Sequence, residues 1–235
     1  MRTSISHTPP NSKIDLSNLK AGDVILYTAE GKQGYDIADS TNGHFSHAAL
    51  YVGSSTFSDG ETLHTGRNGA TLIRCSQEFS NALHGVYVVR LSSSIDEKEL
   101  YRLACESKGK EYDFGALKYV GLASWDIETL ENKTGIHRFI PEAIGTKIVE
   151  KLNKKGSYAI CSGLTLDLIQ KCSKDKILPK AKLELKMMSP NCIYREARKA
   201  DNNAEIFELA PISEEYKNRN KKNFMLAGLS LGLSS

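Results

Sequence analysis

Cys161 stands in the run SYAICSGLT (157–165), where an apolar stretch gives way to a helix-like pattern. A cysteine in that place has two uses. Buried, it acts as a small hydrophobe, and packing is the commoner role. At a helix N-terminus the exposed N–H groups and the positive end of the dipole favour thiolate, the nucleophilic form. Acyl transfer by a thiolate also needs a base within hydrogen-bond reach and a third group that fixes the base's tautomer.

Six histidines are the available bases. His7 lies in a polar leader, His84 and His137 in polar, loop-like surroundings, and His44 in a glycine-containing loop; these read as surface histidines. His47 opens a strand-like run, FSHAALYVG, and His64 falls in the next one, ETLHTG. Neighbouring antiparallel strands lie about 4.8 Å apart, so the two imidazoles could meet side by side. A pair of strand histidines alone is more often structural, and it is Cys161 that completes a catalytic set. Beside the sulfur, Ser162 and Gly163 leave backbone N–H groups open, the N–H of Cys161 would donate to an oxyanion, and Gly163 would admit a substrate backbone. The other cysteines read as core or incidental: Cys75 ends a strand, Cys105 and Cys172 sit on helical faces, and Cys192 follows a turn. His44, His47 and His64 could instead gather zinc with Asp36 or Glu61. The nucleophile reading already accounts for two of them, so no metal and no cofactor is expected.

Positioning these residues falls to a strand-rich first half and a helix-rich second half. Strands are predicted at 23–28, through SHAALYVGS, in a hairpin of 62–65 and 71–74 around GRNG, and in GVYVVRL. The period then changes. SIDEKELYRLACESKG predicts a helix capped by Ser94 or Asp96 and stopped by Gly109, and PEAIGTKIVEKLNKKG and CSGLTLDLIQKC predict two more. SPNCIYREA reads as a loop and turn, and AEIFELA as a last strand. Strands first and helices later predict an α+β domain with an antiparallel sheet. The expected organisation is a flexible leader over 1–16, a catalytic domain over 17–212 with an insertion at 116–157, and a basic, then apolar tail over 213–235.

Composition narrows the class. The 235 residues suffice for one sizeable core, and with 40% hydrophobic and 25% charged residues no apolar run is long enough to span a bilayer. A net charge of +3 is too small to argue for nucleic acid, and the cluster KNRNKK (217–222) reads as a solvated face. Five dispersed cysteines without a CxxC pair speak against a disulfide framework and a structural zinc site, and point to a reducing compartment of synthesis. MRTSISHTPPNSK has no apolar core of a Sec signal, which leaves open export by a machine that reads no such signal.

The motifs together resemble a known family. CSGL at a helix start is similar to the nucleophile motif of the NlpC/P60 superfamily of papain-like cysteine peptidases, and GKEYDFG (109–115) resembles the Gly-x-x-Tyr segment before it. GDVILY and SHAALYVG resemble barrel strands of that family, the second carrying the catalytic histidine. His47 and His64 precede Cys161 here, as in the circularly permuted branch. The resemblance implies a permuted papain-like fold, a sheet or half-barrel packed against helices. It implies Cys161 as nucleophile, His47 as general base and His64 as the third, orienting residue, with Glu61 and Asp36 as competitors for that place. Tyr112 and Asp113 would line the groove near the nucleophile, although Asp113 could equally be a turn residue. The implied substrate is the peptide stem of bacterial cell wall, and the whole is similar to antibacterial effectors of type VI secretion. Such an effector would act in the periplasm of a target cell and would need an immunity protein and a secretion-apparatus carrier. Permuted relatives also include acyltransferases and fatty-amide hydrolases; ALKYVGLASW would suit an acyl chain, and MLAGLSLGL would touch a membrane. A non-catalytic binding module is the remaining class, and retention of both His47 and Cys161 argues against it.

Overall fold

Strand-like runs of the sequence form six antiparallel strands: β1 (Asp23–Ala29), β2 (His47–Gly53), β3 (Glu61–Gly66), β4 (Gly69–Arg74), β5 (Ala82–Arg90) and β6 (Glu205–Ala210). Their spatial order is β4-β3-β2-β1-β5-β6, with every neighbouring pair antiparallel. The computed structural model describes residues 15–29, 31–41, 43–53, 57–66, 68–80, 82–91, 94–111, 160–179, 181, 185, 188–214, 216 and 218. Among them lie helices α1 (Lys32–Ser40), α2 (Cys75–Ser80), α3 (Glu97–Glu106), α4 (Cys161–Cys172) and α5 (Pro190–Ala197). The protein is thus α+β, an antiparallel sheet packed against helices. No helix among the described residues is long and apolar enough to cross a membrane.

Alternation along the strands feeds two apolar clusters. Val24 and Leu26 of β1, Ala48 and Leu50 of β2 and Leu63 of β3 share one with Leu164 and Leu168 of α4 and Leu100 of α3. Ile25 and Tyr27, with Ala49 and Tyr51, share the other with Cys75 and Phe79 of α2. Covering on both faces explains why β1 and β2 carry apolar residues at almost every position, a pattern that polar-out alternation would not give.

Several expectations are corrected. SPNCIYREA is helix α5 rather than a loop: Pro190 opens it, and the Ser189 hydroxyl accepts the Cys192 N–H at 3.1 Å. Ser-Pro was a helix start, where proline's missing N–H costs nothing. Cys75 begins α2 instead of merely ending a strand, and α1 was not anticipated. His84 lies in β5, its ring 4.3 Å from that of Tyr216, and its Nε2 is 2.9 Å from the Tyr35 hydroxyl. Tyr216 is itself buried. Asp96, not Ser94, caps α3, accepting the Glu99 N–H at 3.0 Å. The helix expected in PEAIGTKIVEKLNKKG and the 116–157 insertion lie outside the described residues, as do Tyr112 and Asp113.

One buried amide ties α5 to the segment that delivers β2. Asn191 Oδ1 accepts the Phe45 N–H at 2.8 Å, while Nδ2 donates to the Phe45 carbonyl at 2.8 Å and to Thr41 Oγ1 at 2.7 Å. A Cβ at Gly43 would stand 2.2 Å from Asn191 Oδ1, so glycine is what lets the chain pass. Asn191→Ala is expected to cost about 3 kcal/mol of unfolding free energy, because it strands buried backbone groups two residues before His47. Urea denaturation checks this; a loss below about 0.5 kcal/mol would mean the clamp does not hold the segment.

Candidate functional site

His47 is the first residue of β2 and His64 the fourth of β3. Strand pairing sets Tyr27 of β1 opposite His47, so a phenol and two imidazoles meet on one face of the sheet. The His47 and His64 rings are stacked with centroids 4.7 Å apart, and the Tyr27 ring centre is 5.0 Å from that of His47. A Cβ at Gly66 would come within 2.7 Å of His64 Nε2, so the glycine leaves room for the ring.

Below these rings stands Glu78, fully buried on α2. Its carboxylate accepts a short hydrogen bond from the Tyr27 hydroxyl, another from Thr62 Oγ1 at 3.2 Å, and stands 3.1 and 3.2 Å from His64 Nδ1. His47 Nε2 is 3.5 Å from Glu78 Oε1, makes no hydrogen bond, and belongs to a side chain only 9% exposed. Glu78 therefore faces Nε2 of His47, while the His64 ring is stacked beside it. The competitors are elsewhere. Asp36 is exposed on α1 beside Lys32, and Glu61 accepts the Tyr101 hydroxyl at 3.0 Å.

Electrostatics separate the two imidazoles. Burial, assisted by the neighbouring His64 and only partly opposed by Glu78, lowers the His47 pKa to about 4, so this ring is neutral at pH 7. For His64 burial also works downward, but the bonded Glu78 carboxylate outweighs it and the pKa is raised. Burial alone would raise the Glu78 pKa; the hydrogen bond from His64, the charges of both histidines and the Tyr27 bond reverse it, and the carboxyl is held ionised. Burial first, then the charge and the hydrogen bond of Glu78, push the Tyr27 phenol well above its ordinary value.

Cys161 is the first residue of α4, which starts at Ile160 without a side-chain cap, so the first-turn N–H groups set a positive local field. The sulfur does not lie in an open groove: Cys161 is 1% exposed and packs within the apolar cluster of α4. Ser162 is held by a bond from its hydroxyl to the Met188 carbonyl at 2.6 Å, which commits that side chain to structure, and Gly163 is buried in the same turn.

Sequence reasoning missed Glu78. Its signal was the spacing of Cys75, Glu78 and Phe79, which puts an acid on the same helical face as two apolar residues, and all three are buried. The zinc alternative is changed likewise: the residues that gather are His47, His64 and Glu78, with one ligand atom each all within 4.8 Å, rather than His44, Asp36 or Glu61.

No protein-family model and no curated protein matches the chain. Among solved structures the chain is similar to the metalloprotein yiiX from Escherichia coli O157:H7, described as DUF1105. The match has 14% identity and a TM-score of 0.42 and covers 84% of this chain and 90% of that one.

Thiol chemistry sorts the remaining cysteines. Burial first, then Glu78 and Asp59, pushes the Cys75 thiol up to about 12, and burial with Glu99 and Asp96 pushes Cys172 up to about 11. At pH 7.5 both carry thiolate in less than about one part in a thousand, so neither is expected to react with iodoacetamide while the protein is folded. Peptide mapping after timed alkylation checks this; labelling of either as fast as the half-buried Cys105 would contradict it.

Proposed function

We propose that the protein is a cysteine hydrolase of the circularly permuted NlpC/P60 type, cutting an amide bond in the peptide stem of bacterial cell wall. The observation that carries this reading is a neutral, buried imidazole, His47, whose Nε2 faces the anchored carboxylate of Glu78 at 3.5 Å. A proton on Nε2 facing the carboxylate leaves Nδ1 as the basic nitrogen. In the proposed reaction Nδ1 takes the proton of Cys161, and the thiolate attacks the amide carbonyl. The N–H of Cys161 holds the oxyanion, the imidazolium returns its proton to the leaving amine, and water then frees the acyl-enzyme as acid. Glu78 stabilises the imidazolium, and Tyr27 and Thr62 hold Glu78. Support also comes from chain order, with both histidine strands before the cysteine helix, and from the uncapped start of that helix. Cys161 is buried, so the reading requires the cover over the start of α4 to open for substrate. Delivery as a type VI secretion effector into a target periplasm, with an immunity protein in the producing cell, is part of the same proposal.

One observation favours a second reading. The sulfur sits among apolar side chains rather than in a polar cleft, which suits an acyl chain and a lipid-directed acyltransferase or fatty-amide hydrolase.

Purified protein is incubated with cell-wall fragments and, separately, with N-acyl amides and phospholipids, and products are read by mass spectrometry. Cleaved muropeptides are expected, with loss of at least about a thousandfold in Cys161→Ala and His47→Ala and about a hundredfold in Glu78→Gln, while Asp36→Asn is unchanged. Released fatty acid beside intact muropeptides moves the function to the second reading. Turnover that survives Cys161→Ala overturns both.

A further inference from the structure

We propose that His47, His64 and Glu78 form a binding site for a divalent transition metal of the zinc class. His47 Nε2, His64 Nδ1 and a Glu78 oxygen are two imidazole nitrogens and one carboxylate, a donor set suited to zinc and its neighbours. Bonds of about 2.0–2.1 Å in tetrahedral geometry put ligand atoms about 3.3 Å from one another. Two edges of the triangle already have that length: His47 Nε2 to Glu78 Oε1 is 3.5 Å, and His64 Nδ1 to the same oxygen is 3.1 Å. The third lies within the 4.8 Å that bounds the cluster.

A second, independent observation points to a ligand. His47 Nε2 is a buried polar atom without a hydrogen bond, on a side chain 9% exposed, and it faces into the triangle. An unsatisfied buried nitrogen costs free energy that coordination would recover. Tyr27 and Thr62 already hold the carboxylate from behind, as outer partners of metal ligands do. Binding needs the His64 proton, which faces Glu78 on Nδ1, to leave or to move to Nε2, so that Nδ1 offers its lone pair. Cys161 is not a member of the cluster.

The assignment stands apart from the hydrolase reading. Zinc uptake by a protein without hydrolytic activity leaves it intact, and an active hydrolase that takes up no zinc overturns it alone. Where both hold, zinc on Nε2 keeps the His47 proton on Nδ1. The ring then takes none from Cys161, and zinc silences the enzyme.

The full-length protein, stripped with chelator, is titrated with zinc by calorimetry, and cobalt(II) absorption reports the geometry. One equivalent of zinc is expected, with tetrahedral cobalt bands free of a thiolate charge-transfer band. His64→Ala and Glu78→Gln are each expected to weaken binding about a hundredfold or more, with folding checked by circular dichroism. Cys161→Ala and His84→Ala are expected to bind as the parent does, which holds the proposal to a test even where Glu78→Gln fails to fold. No zinc uptake, uptake that survives His64→Ala, or a cobalt–thiolate band lost in Cys161→Ala overturns it.

Discussion

A single buried negative charge organises this protein. Glu78 has no exposed surface, and every group around it is chosen to keep it ionised: a phenol, a threonine hydroxyl and two imidazoles. Taking a carboxylate out of water costs several kcal/mol unless such partners replace the solvent. The partners come from β1, β2 and β3, so the charge on α2 fixes the helix against three adjacent strands at once. Removing any one partner leaves a buried charge less well compensated. The same charge acts differently on the two histidines: it faces His47, which burial keeps neutral, and it keeps the His64 pKa high.

The sheet separates this polar centre from the cysteine helix. Tyr27 packs in the cluster of α2, whereas Cys161 packs in the cluster of α3 and α4. His47 opens β2 at the end of a strand, where a side chain is least confined to one face. The Asn191 clamp, two residues before His47, is the contact that sets where the strand begins.

Much of this arrangement could be read from the chain. The strand runs showed themselves by continuous apolar residues, and the pairing of His47 and His64 followed from their places on successive strands. Ser94 and Asp96 were both legible as caps for α3, and the fold uses Asp96. Two features were hidden for a physical reason. Glu78 lies in CSQEFS, a short polar-looking run whose helix is stabilised by tertiary burial more than by propensity. Helix α5 begins with Ser-Pro, which serves turns and helix starts alike, so local sequence could not choose between them. Burial of Cys161 was equally invisible, because a cysteine at a helix start fits a cleft and a core equally well.

The central claim is that His47, backed by Glu78, acts on the sulfur of Cys161. The rate at which a small uncharged thiol reagent modifies each of the five cysteines, in the parent and in His47→Ala, tests it most directly. If the proposed reaction holds, Cys161 reacts fastest despite its burial and slows at least about tenfold when the imidazole is removed. A Cys161 that reacts as slowly as Cys75 in the parent, or at the same rate in both proteins, would contradict it.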